Sequence, residues 1–169
     1  ILGGSQGSKP FNLFFIKHYK DLIKKDIQII WQTGIIQFKK IYELANCPEV
    51  IVKSFIKDID VPYSCSDIVV SRAGALAIEE LKSFNKAMIL IPYPNSAGNH
   101  QKYNALELVN NNAAKLIEQQ DMEEKLIDMV NYLLDNQSIR TNMANNAKKL
   151  YNSNSLNLII NSIKECIDV

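Results

Sequence analysis

The chain has 169 residues, 47% hydrophobic and 22% charged, with nineteen basic against eighteen acidic side chains and a formal net charge of +1; this suits one globular domain with a full core and excludes a disordered or fibrous chain. The charges are scattered, which argues against a nucleic-acid footprint, and no stretch approaches the roughly 20 apolar residues that span a bilayer. Cys47, Cys65 and Cys166 are odd in number and far apart, with only His18 and His100 to assist, so neither a zinc site nor a disulfide framework follows and reduced thiols in a cytoplasmic protein fit best.

The chain opens on Ile1-Leu2 and turns at once through Gly3-Gly4-Ser5-Gln6-Gly7-Ser8. Two strand residues stand where about 5 are usual, so the first strand is expected to continue upstream of Ile1. Phe11, Phe14, Phe15, Tyr19, Leu22 and Ile23 then recur at helical spacing, which predicts a helix from Pro10 to about Lys25 with proline in its first turn. Ile27 to Gly34 reads as a second strand ending in a glycine turn, and Phe38, Ile41, Tyr42, Leu44 and Ala45 mark a second helix. "EVIVKSF" supplies a third strand and Asp67 to Arg72 a fourth, followed by Gly74 and a helix through about Phe84. Ala87 to Pro94 is a fifth strand, then come a helix from about Asn99 and a short strand near Ala114 to Ile117.

Strands of nearly unbroken apolar residues are buried on both faces, and helices between them make parallel crossovers the expected connection. The fold class is therefore α/β, a doubly wound parallel sheet. From Met122 the pattern is helical only, and the periodicities through Leu133, Leu150 and Ile167 predict three closing helices packed on the sheet.

Ligands of open α/β sheets lie outside the carboxyl ends of the strands, so the residues following each strand carry the information. Two glycine turns, Gly3 to Gly7 and Arg72-Ala73-Gly74, each lead into a helix N-terminus, where free N–H groups and the helix dipole favour phosphate. Either turn alone is as well explained by chain reversal; the pair suggests a diphosphate held between them. "GGSQG" matches neither the dinucleotide fingerprint nor the P-loop, which weakens a nicotinamide or P-loop reading. Glu80 is either an ordinary exposed carboxylate or an acceptor for both hydroxyls of a ribose. His100 beside Gln101 is either a surface residue or part of the site; no serine or cysteine pairs with it as a nucleophile. Glu79 and Glu80 face different sides of one helix, so the paired carboxylates of a glycoside hydrolase are not found.

Taken together, "GGSQGS", "QTG", "SFIKDIDVPYSCSDIVVSRAGALAIEEL" and "ILIPYPNSAGNHQKYNA" resemble, in order and spacing, the C-terminal half of the MurG family. The resemblance covers essentially all of residues 1–169 and implies a Rossmann-like half of a GT-B glycosyltransferase that binds UDP-GlcNAc. That family is an inverting, metal-independent type of transferase, using no cofactor, that moves GlcNAc to the lipid-linked muramyl pentapeptide of peptidoglycan synthesis. Carried over by motif, Ser5 and Gln6 lie at the diphosphate, and the backbone of Ala75, Leu76 and Ala77 holds the phosphates and reaches the sugar. Phe55 and Ile56 flank uracil, with the Ile56 backbone bonded to the base; Glu80 takes the ribose hydroxyls. His100 and Gln101 stand at the glucosamine hydroxyls, while Arg72 and Asn104 look like supports. The resemblance further implies that an upstream domain supplies the acceptor site, the general base and the contact with the inner face of the cell membrane.

Alternatives of other kinds remain: a stand-alone donor half that recruits an acceptor subunit, a non-catalytic nucleotide-sugar-binding module, or a glycolipid glucosyltransferase. The sequence also departs from the family pattern. Asn85 and Ala87 replace Gly and Pro of a "GKP" turn, Asn112 replaces a Gly, and Asn99 stands where Asp is common. Asparagine tolerates left-handed backbone, so the turns at Asn85 and Asn112 are expected to survive.

Overall fold

The computed structural model describes residues 1–45 and 47–167, with the side chain of Leu156 left out of the description. The described residues form five strands of four or two residues: β1 (Ile29–Gln32), β2 (Val50–Lys53), β3 (Ile68–Ser71), β4 (Ala87–Leu90) and β5 (Lys115–Leu116). They are shorter than the apolar runs in the sequence because pairing ends where the chain turns off the sheet into the loops of the carboxyl edge. β1 pairs β2, β3 pairs β4 and β4 pairs β5, all parallel.

Leu2 closes the gap between the two groups of strands, bridging Gln32 on one side and Ser71 on the other. Its N–H donates to the Val70 carbonyl at 2.8 Å and its carbonyl accepts from the Arg72 N–H at 3.2 Å. The short opening segment is thus the centre of the sheet, and the order becomes β2-β1-Leu2-β3-β4-β5. Numbered by chain position, that is 3-2-1-4-5-6, the doubly wound dinucleotide-type order, with its switch point beside the opening glycine loop.

The described residues form eight α-helices: α1 (Lys9–Ile23), α2 (Ile35–Ala45), α3 (Asp60–Cys65), α4 (Ala75–Ser83), α5 (His100–Asn110), α6 (Met122–Asp135), α7 (Gln137–Lys149) and α8 (Ser155–Ile167). Alternation along β4 divides the interior: Ala87, Ile89 and Ile91 face the core built on α1, α2 and α6, whereas Met88 and Leu90 face the one built on α3, α4 and α5. β4 is buried throughout, while the edge strand β2 buries Val50 and Val52 and exposes Ile51 and Lys53, as a strand covered on one side only must.

Two expectations need correction. No helical period marks Asp60–Cys65, yet this stretch forms α3, anchored by the buried Tyr63 against Phe84 at 5.4 Å between ring centroids. Of the three closing helices, α6 joins the core through Met122, Leu126, Val130 and Leu133, and α7 lies on β4 and α4. α8 does not pack on the sheet: Leu158, Ile159, Ile160 and Ile163 are all exposed. Its apolar period is real, but no element of the described residues covers it.

Asn85, Asn99 and Asn112 all sit in left-handed backbone, with φ of 56°, 55° and 52°, so asparagine keeps the turns at positions 85 and 112 as expected. No helix is long and apolar enough to cross a membrane among the described residues.

Candidate functional site

The carboxyl edge of the sheet opens into one cleft of about 950 Å³, at the upper end of the range for small-molecule sites. It is walled by the first glycine loop, the segment after β2, the start of α4 and the segment after β4.

Two helices enter this cleft with bare N-termini. Before α1, Ser8 occupies the capping position without making a side-chain cap; among the described residues no backbone acceptor meets the N–H groups of Ser8, Lys9 and Phe11. Before α4, Gly74 has no side chain to cap with, and the N–H groups of Ala75, Leu76 and Ala77 are equally free. Serine is among the preferred caps, and leaving one uncapped costs about 1 kcal/mol of helix stability. The free donors and both dipoles' positive ends are what an anion requires.

Ser8 spends its hydroxyl on Arg72 instead, accepting from a guanidinium nitrogen at 2.8 Å. The same guanidinium donates to the carbonyls of Ile91 and Pro92 and to Oε1 of Gln119, at 3.2, 3.0 and 2.6 Å. It lies 4.6 Å from the centre of the Phe11 ring. All four acceptors are neutral, and Arg72 is only 8% exposed. Burial pushes its pKa down to about 10, so it remains a cation at neutral pH, uncompensated by any carboxylate within ion-pair distance among the described residues. A buried charge held only by dipoles is costly unless a counter-charge arrives, and Arg72 lines the cleft.

The glycine loop is fixed by close packing against the turn after β1. A Cβ on Gly34 would stand 2.0 Å from the Gln6 carbonyl oxygen, and one on Gly7 would stand 2.0 Å from that of Thr33; both residues have φ of 76°. Only glycine fits either place. Beneath them Asn12 donates to the Thr33 carbonyl at 2.8 Å and accepts from the Trp31 indole at 3.1 Å.

Of the residues singled out in the sequence, Ser5, Gln6, Phe55, Ile56, Ala75, Leu76, Ala77, Glu80 and Gln101 all line this cleft. Phe55 and Leu76 present apolar surface there, 53% and 74% exposed. Glu80 accepts from the buried Tyr63 hydroxyl at 3.0 Å through Oε2; burial first, then the Glu80 charge, raises the Tyr63 pKa and keeps that proton in place. Gln101 accepts from the Tyr93 N–H at 2.9 Å through Oε1, which leaves its amide nitrogen to donate. His100 is the exception: it does not line the cleft, and its Nδ1 lies 2.8 Å from the Ala97 carbonyl. Asn104 supports the α4 entry, donating to the Ala73 carbonyl at 3.1 Å. No group of three His, Cys, Asp or Glu placed to hold a metal is found among the described residues.

Three contributors went unrecognised in the sequence. Gln32, the last residue of β1, donates to the Gly4 carbonyl at 2.9 Å and accepts from the Ile56 N–H at 2.8 Å; its place at a strand end before a glycine turn was the available signal. Tyr63 had none, lying on the helix that the pattern did not reveal. Ser8 stood in the sequence only as the end of the glycine run, and nothing there showed that its hydroxyl meets Arg72.

A 3-2-1-4-5-6 sheet with two uncapped helices and an unbalanced arginine at its switch point defines a Rossmann-like domain equipped to hold a phosphorylated ligand. The chain belongs to the glycosyltransferase family 28 C-terminal domain family, whose model matches residues 1–160. Its relatives include the UDP-N-acetylglucosamine–N-acetylmuramyl-(pentapeptide) pyrophosphoryl-undecaprenol N-acetylglucosamine transferase of Cytophaga hutchinsonii, 33% identical over 99% of this chain and 45% of that protein. The enzyme of the same name from Bacteroides fragilis is 42% identical over 75% of this chain and 35% of its own length. The chain thus spans less than half the length of these relatives. Among solved structures, MurG of Acinetobacter baumannii superposes with a TM-score of 0.83 at 28% identity, over 97% of this chain and 49% of that one. A UDP co-structure of S. aureus MnaA superposes at 0.70 with 17% identity, over 95% and 43%, and shares the fold.

Proposed function

We propose that this domain is the donor-binding half of an inverting transferase that moves GlcNAc from UDP-GlcNAc to a lipid-linked muramyl pentapeptide. The observation that carries this reading is the convergence of two bare helix N-termini on a cleft with a buried, uncompensated Arg72. A diphosphate supplies the missing negative charge. Ser5 and Gln6 flank it from the first loop, and the amides of Ala75, Leu76 and Ala77 bind it from α4. Phe55 and Leu76 offer apolar surface to the uracil ring, with the Ile56 peptide at its polar edge. Glu80, held by Tyr63, accepts from the ribose hydroxyls; Gln101 reads the sugar hydroxyls, with His100 beside it.

The chemistry asked of this half is electrostatic. As the bond to the anomeric carbon breaks, negative charge grows on the departing UDP, and the preorganised amides and dipoles stabilise it. The acceptor hydroxyl attacks from the opposite face, delivered with its general base by a region outside this chain that rests on the inner face of the cell membrane. No metal or cofactor enters the reaction. The named relatives support the choice of donor and acceptor.

The test is transfer of labelled GlcNAc from UDP-GlcNAc to the lipid-linked muramyl pentapeptide by the full-length protein, with and without chelator. Transfer that survives chelation is expected. Absence of transfer, or strict dependence on Mg²⁺ or Mn²⁺, would overturn the reading.

A further inference from the structure

One planar amide joins the two loops that the proposed nucleotide must bridge. Gln32 is 6% exposed and donates through Nε2 to the Gly4 carbonyl at 2.9 Å. Through Oε1 it accepts from the Ile56 N–H at 2.8 Å. A carbonyl only accepts and an N–H only donates, so the orientation of the amide is fixed by its partners. The Gly4 carbonyl also receives the Gly7 N–H at 3.0 Å. Both donors turn this oxygen into the body of the loop, leaving the loop's amides for an anion. On the other side the Ile56 N–H is taken, while no group among the described residues donates to the Ile56 carbonyl. The carbonyl is thus the open group of this peptide, and it is an acceptor. Uracil has a donor at N3, whereas cytosine has an acceptor there, and two facing acceptors leave a buried polar group unpaired.

We propose that Gln32 is a positioning residue that couples the diphosphate loop to the base loop and, by occupying the Ile56 N–H, makes the Ile56 carbonyl the selector for uracil. This rests on the uridine-nucleotide reading of the cleft. Gln32 touches neither base nor phosphate in this account; it acts through both loops at once.

The test compares UDP, UMP and CDP binding by calorimetry in the full-length protein, for wild type, Gln32→Met and Gln32→Glu. Two ratios are read: the gain from the β-phosphate (UDP against UMP) and base discrimination (UDP against CDP). Gln32→Met removes both bonds, and both ratios are expected to fall about tenfold, the size of one lost hydrogen bond each. Gln32→Glu keeps the acceptor for Ile56 and loses the donor to Gly4, so discrimination returns to within about twofold of wild type while the β-phosphate gain stays low. A variant that is merely less folded loses affinity for all three ligands equally, and unchanged ratios in Gln32→Met overturn the proposal. If Gln32→Met does not fold, Gln32→Glu decides: a split between the ratios supports the coupling, and parallel behaviour of the two overturns it. Failure of the wild type to prefer UDP over CDP removes the uridine-nucleotide reading itself, a result separate from any effect of the variants.

Discussion

At the scale of single residues, the cleft leaves groups unsatisfied or half-satisfied, and the proposed function has a ligand complete them. Glu80 shows the second case. One of its oxygens takes the Tyr63 hydroxyl, which fixes the carboxylate without exhausting it, since an ionised carboxylate has about four acceptor positions. Glu80→Ala is expected to weaken UDP by about 2 to 4 kcal/mol, the sum of two overlapping charge-assisted bonds. Tyr63→Phe leaves the carboxylate present but unguided and should cost about 0.5 to 1.5 kcal/mol; calorimetry on both variants checks the order, and equal losses would mean that Tyr63 acts on something other than Glu80. Gln101 divides in the same way. Gln101→Glu keeps the acceptor for the Tyr93 N–H and loses the donor, so it should erode discrimination between UDP-GlcNAc and its C4 epimer while leaving UDP affinity alone. Gln101→Ala releases the Tyr93 loop as well, and a fall in UDP affinity there alone would separate the two roles. Because Arg72 stays charged up to about 10 and the raised Tyr63 pKa keeps its proton, UDP affinity should be flat between about pH 7 and 9. A loss of affinity within that window, measured by calorimetry, would mean that a group other than these two governs the site.

At the scale of elements, what the sequence made legible is what short-range physics fixes. β4 could be found because burial on both faces demands an unbroken apolar run, and the left-handed turns at Asn85 and Asn112 because asparagine, which tolerates that backbone, stands where the family that the sequence resembles has glycine. α3 could not, because six residues containing Pro62 and a serine carry no period; it is helical because Tyr63 finds a slot between Phe84 and Glu80. The Gln32 bridge spans 28 residues to Gly4 and 24 to Ile56, so it exists only once the sheet has set the strand order. The same order brings Gly7 against Gly34, and there the sequence had shown the glycines but not that they touch. Gly34→Ala places a methyl group on the Gln6 carbonyl, a backbone clash that adds to the about 1 to 3 kcal/mol of left-handed strain. Denaturant unfolding should show that loss together with weakened UDP binding, because the same carbonyl shift moves the loop amides. Unimpaired binding in a destabilised variant would detach the loop from the site.

At the scale of the whole molecule, two cores share the sheet and, among the described residues, neither draws on α8. The period of Ile159, Ile160 and Ile163 predicts an amphipathic helix, and periodicity alone cannot say what covers it. With no packing to hold them, helices of 13 residues are marginal in water, so amides of α8 in the 169-residue domain are expected to exchange rapidly while those of β4 persist to the limit of global unfolding. Slow exchange along α8 would show that something within the domain covers it. The proposed reading makes the bare starts of α1 and α4, at the carboxyl edge of the sheet, an anion site for a nucleotide diphosphate. Its most direct test is a titration of the ¹⁵N-labelled protein with UDP, followed amide by amide. Shifts concentrated on Ser8, Lys9, Ala75, Leu76 and Ala77, saturating together without added metal, are the predicted result; saturable UDP binding that leaves these five amides unmoved would contradict it.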